Sequence, residues 1–353
     1  MQDVELICSS SGSHIAQIYS GFAMLAEHGR VRVRLTRTES YDPGPAGSIL
    51  RAVVDGQRIV YDTRDHASCP PEDLEWADHY FKRSFDSRAA SVTARPSIMR
   101  PLGLNYLSYT RGDWWLRRCV WTVERTRPRN GRAALTQLAL LTPGLSSLTN
   151  GGRSNCMYQR FESPPEMEGN TVLMLTRTWD PRRASGERAQ MRADMNSTRT
   201  KAIRLLRSEL GPRFVGGLHP TEDARRDYPD LVVDGAITRK SRYVELMRRS
   251  AVCIPSQGLL GTHGWRLAEY VAASRPIVTE PLQHEVPGDF REGQNYLTYA
   301  SSEGLLVSVQ RLLDNPDLSA AMRHANHHYY SHHVRPDAIV AHTLSQVFGG
   351  RPC

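Results

Sequence analysis

Residues 251–280 constrain this chain more than any other stretch. Ala251, Val252, Cys253, Ile254 and Pro255 form a short apolar run that reads as a buried strand. A glycine-bearing loop follows over 258–264. Trp265, Leu267, Ala268, Val271 and Ala272 then recur at the spacing of an amphipathic helix, Pro276 ends it, and Ile277, Val278 and Thr279 open the next strand. Strand, loop, helix and strand make one unit of a parallel sheet. In open sheets of this kind ligands sit beyond the carboxyl ends of the strands, beside helix N-termini. The loop carries Thr262 and His263, and the helix carries Arg266 and Glu269. A helix start with free N–H groups, a histidine and an arginine suits a diphosphate. Glu269, about a turn further in, suits the two hydroxyls of a ribose or sugar.

The same alternation of strand and helix runs through the chain. An apolar run from Val4 leads through a serine-rich turn, with Ser13 as a cap, into a helix over 14–28, and 31–35 reads as a second strand. Residues 51–54 and 58–61, either side of Gly56-Gln57, read as a hairpin or two short strands, followed by a short helix at 73–77 and a strand at 78–84. Residues 114–124 and 132–141 look helical. The stretch 143–165, rich in Gly, Ser, Asn and Pro, reads as a domain linker. Beyond it come a strong strand from Thr171, a long helix over 187–210 stopped by Gly211-Pro212, a strand at 213–217, and a helix at 241–250. Residues 318–348 read as two helices broken near Arg335-Pro336. Alternation of this kind indicates α/β units with parallel sheets. The expected organisation is one domain over 1–165, a second over 166–325, and a C-terminal helical segment over 326–353.

At 353 residues the chain is long enough for two domains with separate cores. No run of about 18 apolar residues exists, so no membrane span is expected. The first residues lack a basic, cleavable apolar leader, and the six cysteines are scattered without CxxC spacing. Both point to a cytoplasmic protein with reduced thiols. The net charge of +8 raises a nucleic-acid reading. Only three residues are lysine, the arginines are dispersed, and no RRM, KH, zinc-finger or helix-turn-helix pattern accompanies them. A basic cleft for a nucleotide diphosphate or an anionic acceptor is the simpler account, and peripheral membrane contact is compatible with the same charge.

Several chemistries are missing at the level of motif. The first strand-to-helix loop has one glycine instead of GxGxxG, and there is no GxxxxGK[ST], HExxH or GxSxG. No DxD follows an apolar strand, so metal-bridged diphosphate binding is disfavoured. His324, His328 and His332 share one helical face at four-residue spacing, a spacing that could chelate a metal. They lack cysteine or carboxylate partners, and a solvated or cleft-lining helix is the plainer reading.

The run Thr262-His263-Gly264-Trp265-Arg266-Leu267-Ala268-Glu269-Tyr270-Val271-Ala272-Ala273-Ser274-Arg275-Pro276-Ile277-Val278 resembles the donor-site segment of GT-B glycosyltransferases, of the family 1/4 type. It is most similar to the branch holding the CgeB-like and exostosin-like bacterial enzymes. The likeness continues through Gly293-Gln294-Asn295-Tyr296-Leu297-Thr298-Tyr299 and the helix opening at Ser302. It covers the chain well from Thr171 onward and the first half in outline. The family pattern carries a further glutamate near position 261, where this chain has Gly261, so that contact does not carry over.

What the resemblance implies is an α/β protein of GT-B type, with two Rossmann-like domains whose parallel sheets face across a cleft and a terminal helix returning to the first domain. It implies transfer of a sugar from a nucleotide-diphosphate sugar to a hydroxyl acceptor, a small molecule or a glycan. The nucleotide sugar is then a co-substrate, with no cofactor and no metal. Arg177, Lys240, His263 and Arg266 would stabilise the leaving diphosphate, with Thr262 beside them, and Glu269 would orient the ribose. His14, at the start of the first helix, occupies the kind of place where inverting members keep a general base, a task that suits a pKa near 7. Asp62 and Asp65, at a strand's end, are rival bases or orienters of His14. Two other classes stand beside this reading: a catalytically silent sugar- or nucleotide-binding protein on the same scaffold, and an arginine-rich nucleic-acid binder.

Overall fold

The computed structural model describes residues 1–8, 13–37, 48–112, 142, 145 and 152–350. The two helices expected over 114–124 and 132–141, and most of the expected linker, lie outside the described residues. The chain forms two compact units. The first comprises Met1–Arg160, Gln283–Gly288 and Tyr330–Cys353, and the second Phe161–Leu282 and Asp289–Tyr329. No helix among the described residues is long and apolar enough to cross a membrane.

The first unit opens with β1 (Gln2–Cys8), α1 (Ala16–Glu27), β2 (Val31–Arg37), β3 (Ile49–Val54) and β4 (Gln57–Asp62). After these come α2 (Pro71–Trp76), β5 (His79–Lys82), α3 (Ser87–Ser91) and β6 (Met99–Pro101). The strand order is β2-β1-β3-β4-β5-β6. All neighbours are parallel except those of β3, which runs against β1 and β4. The reversal has a local cause. Asp55 and Gly56 both take positive φ, 45° and 84°, the backbone of a two-residue hairpin turn whose twist matches the flanking strands. The carboxyl ends of β1, β4 and β5 therefore emerge together. Alternate residues of β1, namely Val4, Leu6 and Cys8, are buried, as are Ile18, Tyr19 and Phe22 of α1. Tyr61 of β4 stacks on Phe81 and meets the Phe22 ring edge-on.

The second unit runs β7 (Thr171–Thr176), α4 (Gly186–Leu210), β8 (Phe214–Leu218), α5 (Glu222–Asp227), α6 (Lys240–Arg248) and β9 (Ser250–Cys253). It continues with α7 (Trp265–Ala272), β10 (Val278–Thr279), β11 (Leu297–Thr298), α8 (Ser302–Asp314) and α9 (Pro316–Tyr329). Strands β8, β7 and β9 pair in parallel, as do β10 and β11, and a parallel bridge between Cys253 and Ile277 joins the two groups. The order reverses between β7 and β9, since β8 lies on one side of β7 and every later strand on the other. The core lies between this sheet and α4 and α8, with Val172, Met174, Ile203, Leu206, Val252, Leu305 and Val309 all buried.

Arg275 closes the helical side of this unit. It is 0% exposed, and its guanidinium donates to the carbonyls of Ala273, Arg248 and Ser250 at 2.8, 3.3 and 3.3 Å. Ala273 follows α7 and Arg248 ends α6, so one cation caps two helix C-termini.

After α9 a π-helical turn over Tyr330–Val334 leads into α10 (Pro336–Phe348), which packs along α1 in the first unit. The α-helical register ends at Tyr329, so the regular face drawn through His324, His328 and His332 does not continue.

Candidate functional site

The strand-order reversal between β7 and β9 is where an open parallel sheet presents a ligand crevice. The loop after β9 folds tightly there. The Gly258 amide donates to the Thr262 carbonyl at 2.8 Å, and a Cβ on Gly258 would stand 2.5 Å from Thr262 Oγ1. Thr262 Oγ1 in turn donates to the Leu259 carbonyl at 3.1 Å. Leu260 and Gly261 are both left-handed, with φ of 63° and 67°. Glycine adopts that conformation without penalty and glutamate does not. The absence of a glutamate at 261 thus goes with a loop path that favours glycine. Thr262 and His263 are buried within this loop. Gly264 then starts α7 and, having no side chain, supplies no cap to it.

Three arginines from three elements converge beside that helix start. Arg266, in the first turn of α7, donates from Nη2 to His219 Nε2 at 2.8 Å and lies over the Tyr243 ring, 5.1 Å from its centroid. Its Nη1 is buried without a hydrogen-bond partner. Arg177, the first residue after β7, has its pKa lowered by desolvation and by the charge of Arg266, against the pull of Asp223. Arg199 of α4 is 4% exposed, and burial brings its guanidinium down to about 10, with Glu280 opposing and Arg266 and Arg177 adding to the effect. Its Nη1 and Nη2 donate to the carbonyls of Arg177 and Gln257, each at 2.6 Å. The Glu280 carboxyl, just past β10, is raised by burial and accepts the Gln257 amide at 3.1 Å. His219, one residue beyond β8, is pushed down to about 3 by burial and the charges of Arg266 and Arg177. It is therefore neutral at any ordinary pH.

Glu269 departs from the expectation of an open, ribose-facing carboxylate. It is 2% exposed and both its oxygens are engaged. Oε1 accepts from Lys240, and Oε2 accepts from the Tyr243 hydroxyl at 2.8 Å. Lys240 is accordingly drawn away from the expected phosphate role. It pairs with Glu269 and lies over the Phe161 and Tyr243 rings, at 4.7 and 5.2 Å. Lys240 and Tyr243 share one face of α6, so this helix is clamped to α7 through a single carboxylate. Among the expected donor residues, Arg177 and Arg266 come together and His263 and Thr262 lie in the adjoining loop. Sequence reasoning missed His219, Arg199, Tyr243 and Glu280. Only His219 carried a signal, as a histidine two residues past the strand read at 213–217.

In the first unit, the carboxyl ends of β4 and β5 and the start of α1 gather a second set of groups. Asp62 ends β4 and is 0% exposed. Its oxygens accept from Lys82 Nζ at 2.9 Å, Tyr80 at 2.7 Å, and Arg64 at 2.8 and 3.0 Å. Burial alone would raise this carboxyl, but Lys82 and Arg64 hold it below its ordinary value. A buried carboxylate so saturated with donors is a counter-ion, and the expectation that Asp62 serves as a base is corrected on that ground. Asp65 keeps solvent access and pairs with the buried Arg83. His14 is partly buried and its carbonyl accepts from Asn105 at 3.0 Å. Burial and Arg83 lower its pKa, while Asp65 raises it. His14, Asp65 and Arg83 form one electrostatic group.

Residues 199–345 match the family model described as glycosyl transferase-like. No curated protein matches the chain. Among solved structures, the chain is similar to Anabaena Alr3699/HepE in complex with UDP-glucose at 11% identity and a TM-score of 0.38, over 99% of this chain and 100% of that one. It is similar to the pneumococcal O-GlcNAc transferase GtfA in complex with UDP and GlcNAc at 11% identity and a TM-score of 0.39, over 92% of this chain and 54% of that one. The UDP-GlcNAc 2-epimerase from Neisseria meningitidis, bound to UDP-GlcNAc, gives 11% identity and a TM-score of 0.40, over 93% and 72%. This is an α/β protein of two units, and most of its second unit from Arg199 onward matches a glycosyl transferase-like family.

Proposed function

We propose that this protein is a metal-independent glycosyltransferase that moves a sugar from a nucleotide-diphosphate donor to a hydroxyl acceptor. The observation that carries the reading is the group Arg177, Arg199 and Arg266. The charge of Arg266 lowers the proton affinity of Arg177 and Arg199, and Arg177 adds to the effect on Arg199, beside the start of α7 at the strand-order reversal. Like charges held this close are stabilised by an anion, and a diphosphate matches the guanidinium fork and the helix N-terminus together. The glycosyl transferase-like match spans Arg199 and Arg266 and supports the same reading.

Negative charge grows on the leaving diphosphate as the glycosidic bond breaks. Donors already fixed in place stabilise that charge without reorganising. Arg177 and Arg266 would supply it directly, with the first-turn amides of α7, which is why no metal ion is required. Glu269 would serve the site through Lys240 and Tyr243, holding α6 against α7. If the reaction inverts the anomeric centre, His14 takes the acceptor proton, with Asp65 sustaining its basicity. Retention leaves His14 without that task. A cytoplasmic setting, where nucleotide sugars are made, suits the reading.

The test is a thermal-shift and calorimetric screen of nucleoside diphosphates and nucleotide sugars, followed by donor turnover in the presence of a strong chelator. A ligand at about 100 times its Kd adds about 2.7 kcal/mol of stability. No shift with any nucleotide would end the proposal. Turnover that vanishes on chelation and returns with Mg²⁺ or Mn²⁺ would remove its metal-independent part.

A further inference from the structure

We infer that Arg199 is the residue that fixes the spacing between the two loops flanking the diphosphate slot, a positioning role that rests on the donor-binding reading above. Arg199 lies on α4 beneath the sheet's carboxyl end. Its two terminal nitrogens reach two different loops, donating to the carbonyl of Arg177 after β7 and to that of Gln257 after β9, each at 2.6 Å. Those strands are the neighbours between which the order reverses. Gln257 is held from its other side as well. Its amide donates to Glu280 at 3.1 Å and its side chain to the Pro281 carbonyl at 2.6 Å.

A guanidinium spans two acceptors with a rigid planar fork, and an ammonium of equal charge does not. Burying the charge is costly, and an apolar side chain of similar volume would serve stability alone as well or better. What the arginine adds is a fixed distance between the Arg177 and Gln257 backbones, and so between Arg177 and the loop leading to Arg266. It also adds positive potential from behind the slot without touching the ligand. Both terminal nitrogens are engaged by main-chain carbonyls, so Arg199 acts through the loops and is not itself a catalytic residue.

The experiment uses the full chain with Arg199→Lys, Arg199→Met and Arg199→Ala. Hydrogen exchange on ligand-free protein reads the loops directly. Peptides covering 177–183 and 256–264 should exchange faster in all three variants, while those in β7 and β9 stay protected. Binding of ADP, GDP and UDP is then measured by calorimetry. The diphosphate that the parent binds best should lose at least tenfold in affinity in Arg199→Lys. Millimolar guanidinium should recover part of the affinity of Arg199→Ala and none of that of Arg199→Lys. Unchanged loop exchange in Arg199→Lys, or diphosphate affinity equal to the parent's, overturns the inference even if the Met and Ala variants fail to fold. If the parent binds none of the three nucleotides the donor-binding reading fails instead, and loop exchange still reports on what Arg199 holds.

Discussion

Arg266 donates to Nε2 of His219 at 2.8 Å. A guanidinium has no acceptor to offer, so the imidazole is the acceptor and carries its own proton on Nδ1. Protonating Nε2 would break this bond and place a fourth positive charge beside Arg177, Arg199 and Arg266.

The consequence is a pH dependence of stability. His219 has a folded-state pKa of about 3 against an ordinary 6.5. A depressed value of this kind gives stability that is complete above pH 6.5 and lost as the pH falls towards 3. With a discount for partial exposure, the loss at pH 5 is on the order of 1 kcal/mol. Glutamine at 219 offers an acceptor that does not titrate. His219→Gln should therefore flatten the acid arm of a Tm-versus-pH profile between pH 7 and 4. Parallel profiles for the two proteins would show that His219 does not govern that arm.

The Glu269 clamp should be strongly coupled. Removing one partner of a buried pair costs about 3–5 kcal/mol, so Glu269→Ala should destabilise the protein by roughly that much in urea unfolding. Tyr243→Phe removes a hydrogen bond to a charged group, worth about 1.5–3 kcal/mol. Because both act through the same carboxylate, the double variant should cost less than the sum of the two. Donor affinity should fall in Glu269→Ala as α6 loosens from α7. Additive energies with unchanged donor binding would place Glu269 outside both the clamp and the site.

In the first unit the three acidic and basic candidates should separate by phenotype. His14→Ala should cut kcat by about 10²–10⁴ with little change in donor affinity. Asp62→Asn should appear as a loss of stability, because Lys82 and Arg64 lose their buried counter-ion. Asp65→Asn should act through His14. Without that negative charge, and with Arg83 left uncompensated, the His14 pKa falls further, so the acid limb of the kcat profile moves to lower pH. An unmoved limb in Asp65→Asn, or near-full turnover in His14→Ala, would transfer the base role elsewhere.

Arg275 supplies a purely structural test. Arg275→Met removes a buried charge, a change that is often tolerated. It also strips the donor from carbonyls at two helix ends, at about 1–3 kcal/mol for each buried group left unsatisfied. The second effect should prevail, lowering stability by about 2–4 kcal/mol in denaturant unfolding. A neutral or stabilised variant would mean that water or backbone adjustment satisfies those carbonyls.

What the sequence made legible was local. The strand, loop and helix over 251–280 could be read because apolar spacing, glycines and Pro276 all act within a few residues of one another. Arg177 and Arg266 were legible because each follows directly from a strand end or a helix start. Arg199 was not, since it sits mid-helix and resembles the many other arginines of the chain until folding brings two loops to it. The Asp62 error has the same origin. A strand-end aspartate looks the same in one dimension whether it faces solvent or, as here, Lys82 from the adjacent β5. The β3–β4 hairpin was legible in outline from the strands either side of the glycine, although its turn, at Asp55-Gly56, lies one residue earlier than read.

The packing of α10 along α1 has a consequence for biosynthesis. A Cβ added at Gly21 would collide with the Pro336 carbonyl and the Val340 side chain, so the two helices meet backbone to backbone. As the chain leaves the ribosome, α1 emerges well before its partner, which arrives more than three hundred residues later. At synthesis rates of about 5–20 residues per second, the apolar face of α1 waits at least some fifteen seconds for its cover. The second unit is contiguous apart from Gln283–Gly288 and can be complete by then. The unit that contains α1 is thus closed only after the second unit has been made, and in the interval its apolar face is open to whatever covers nascent chains.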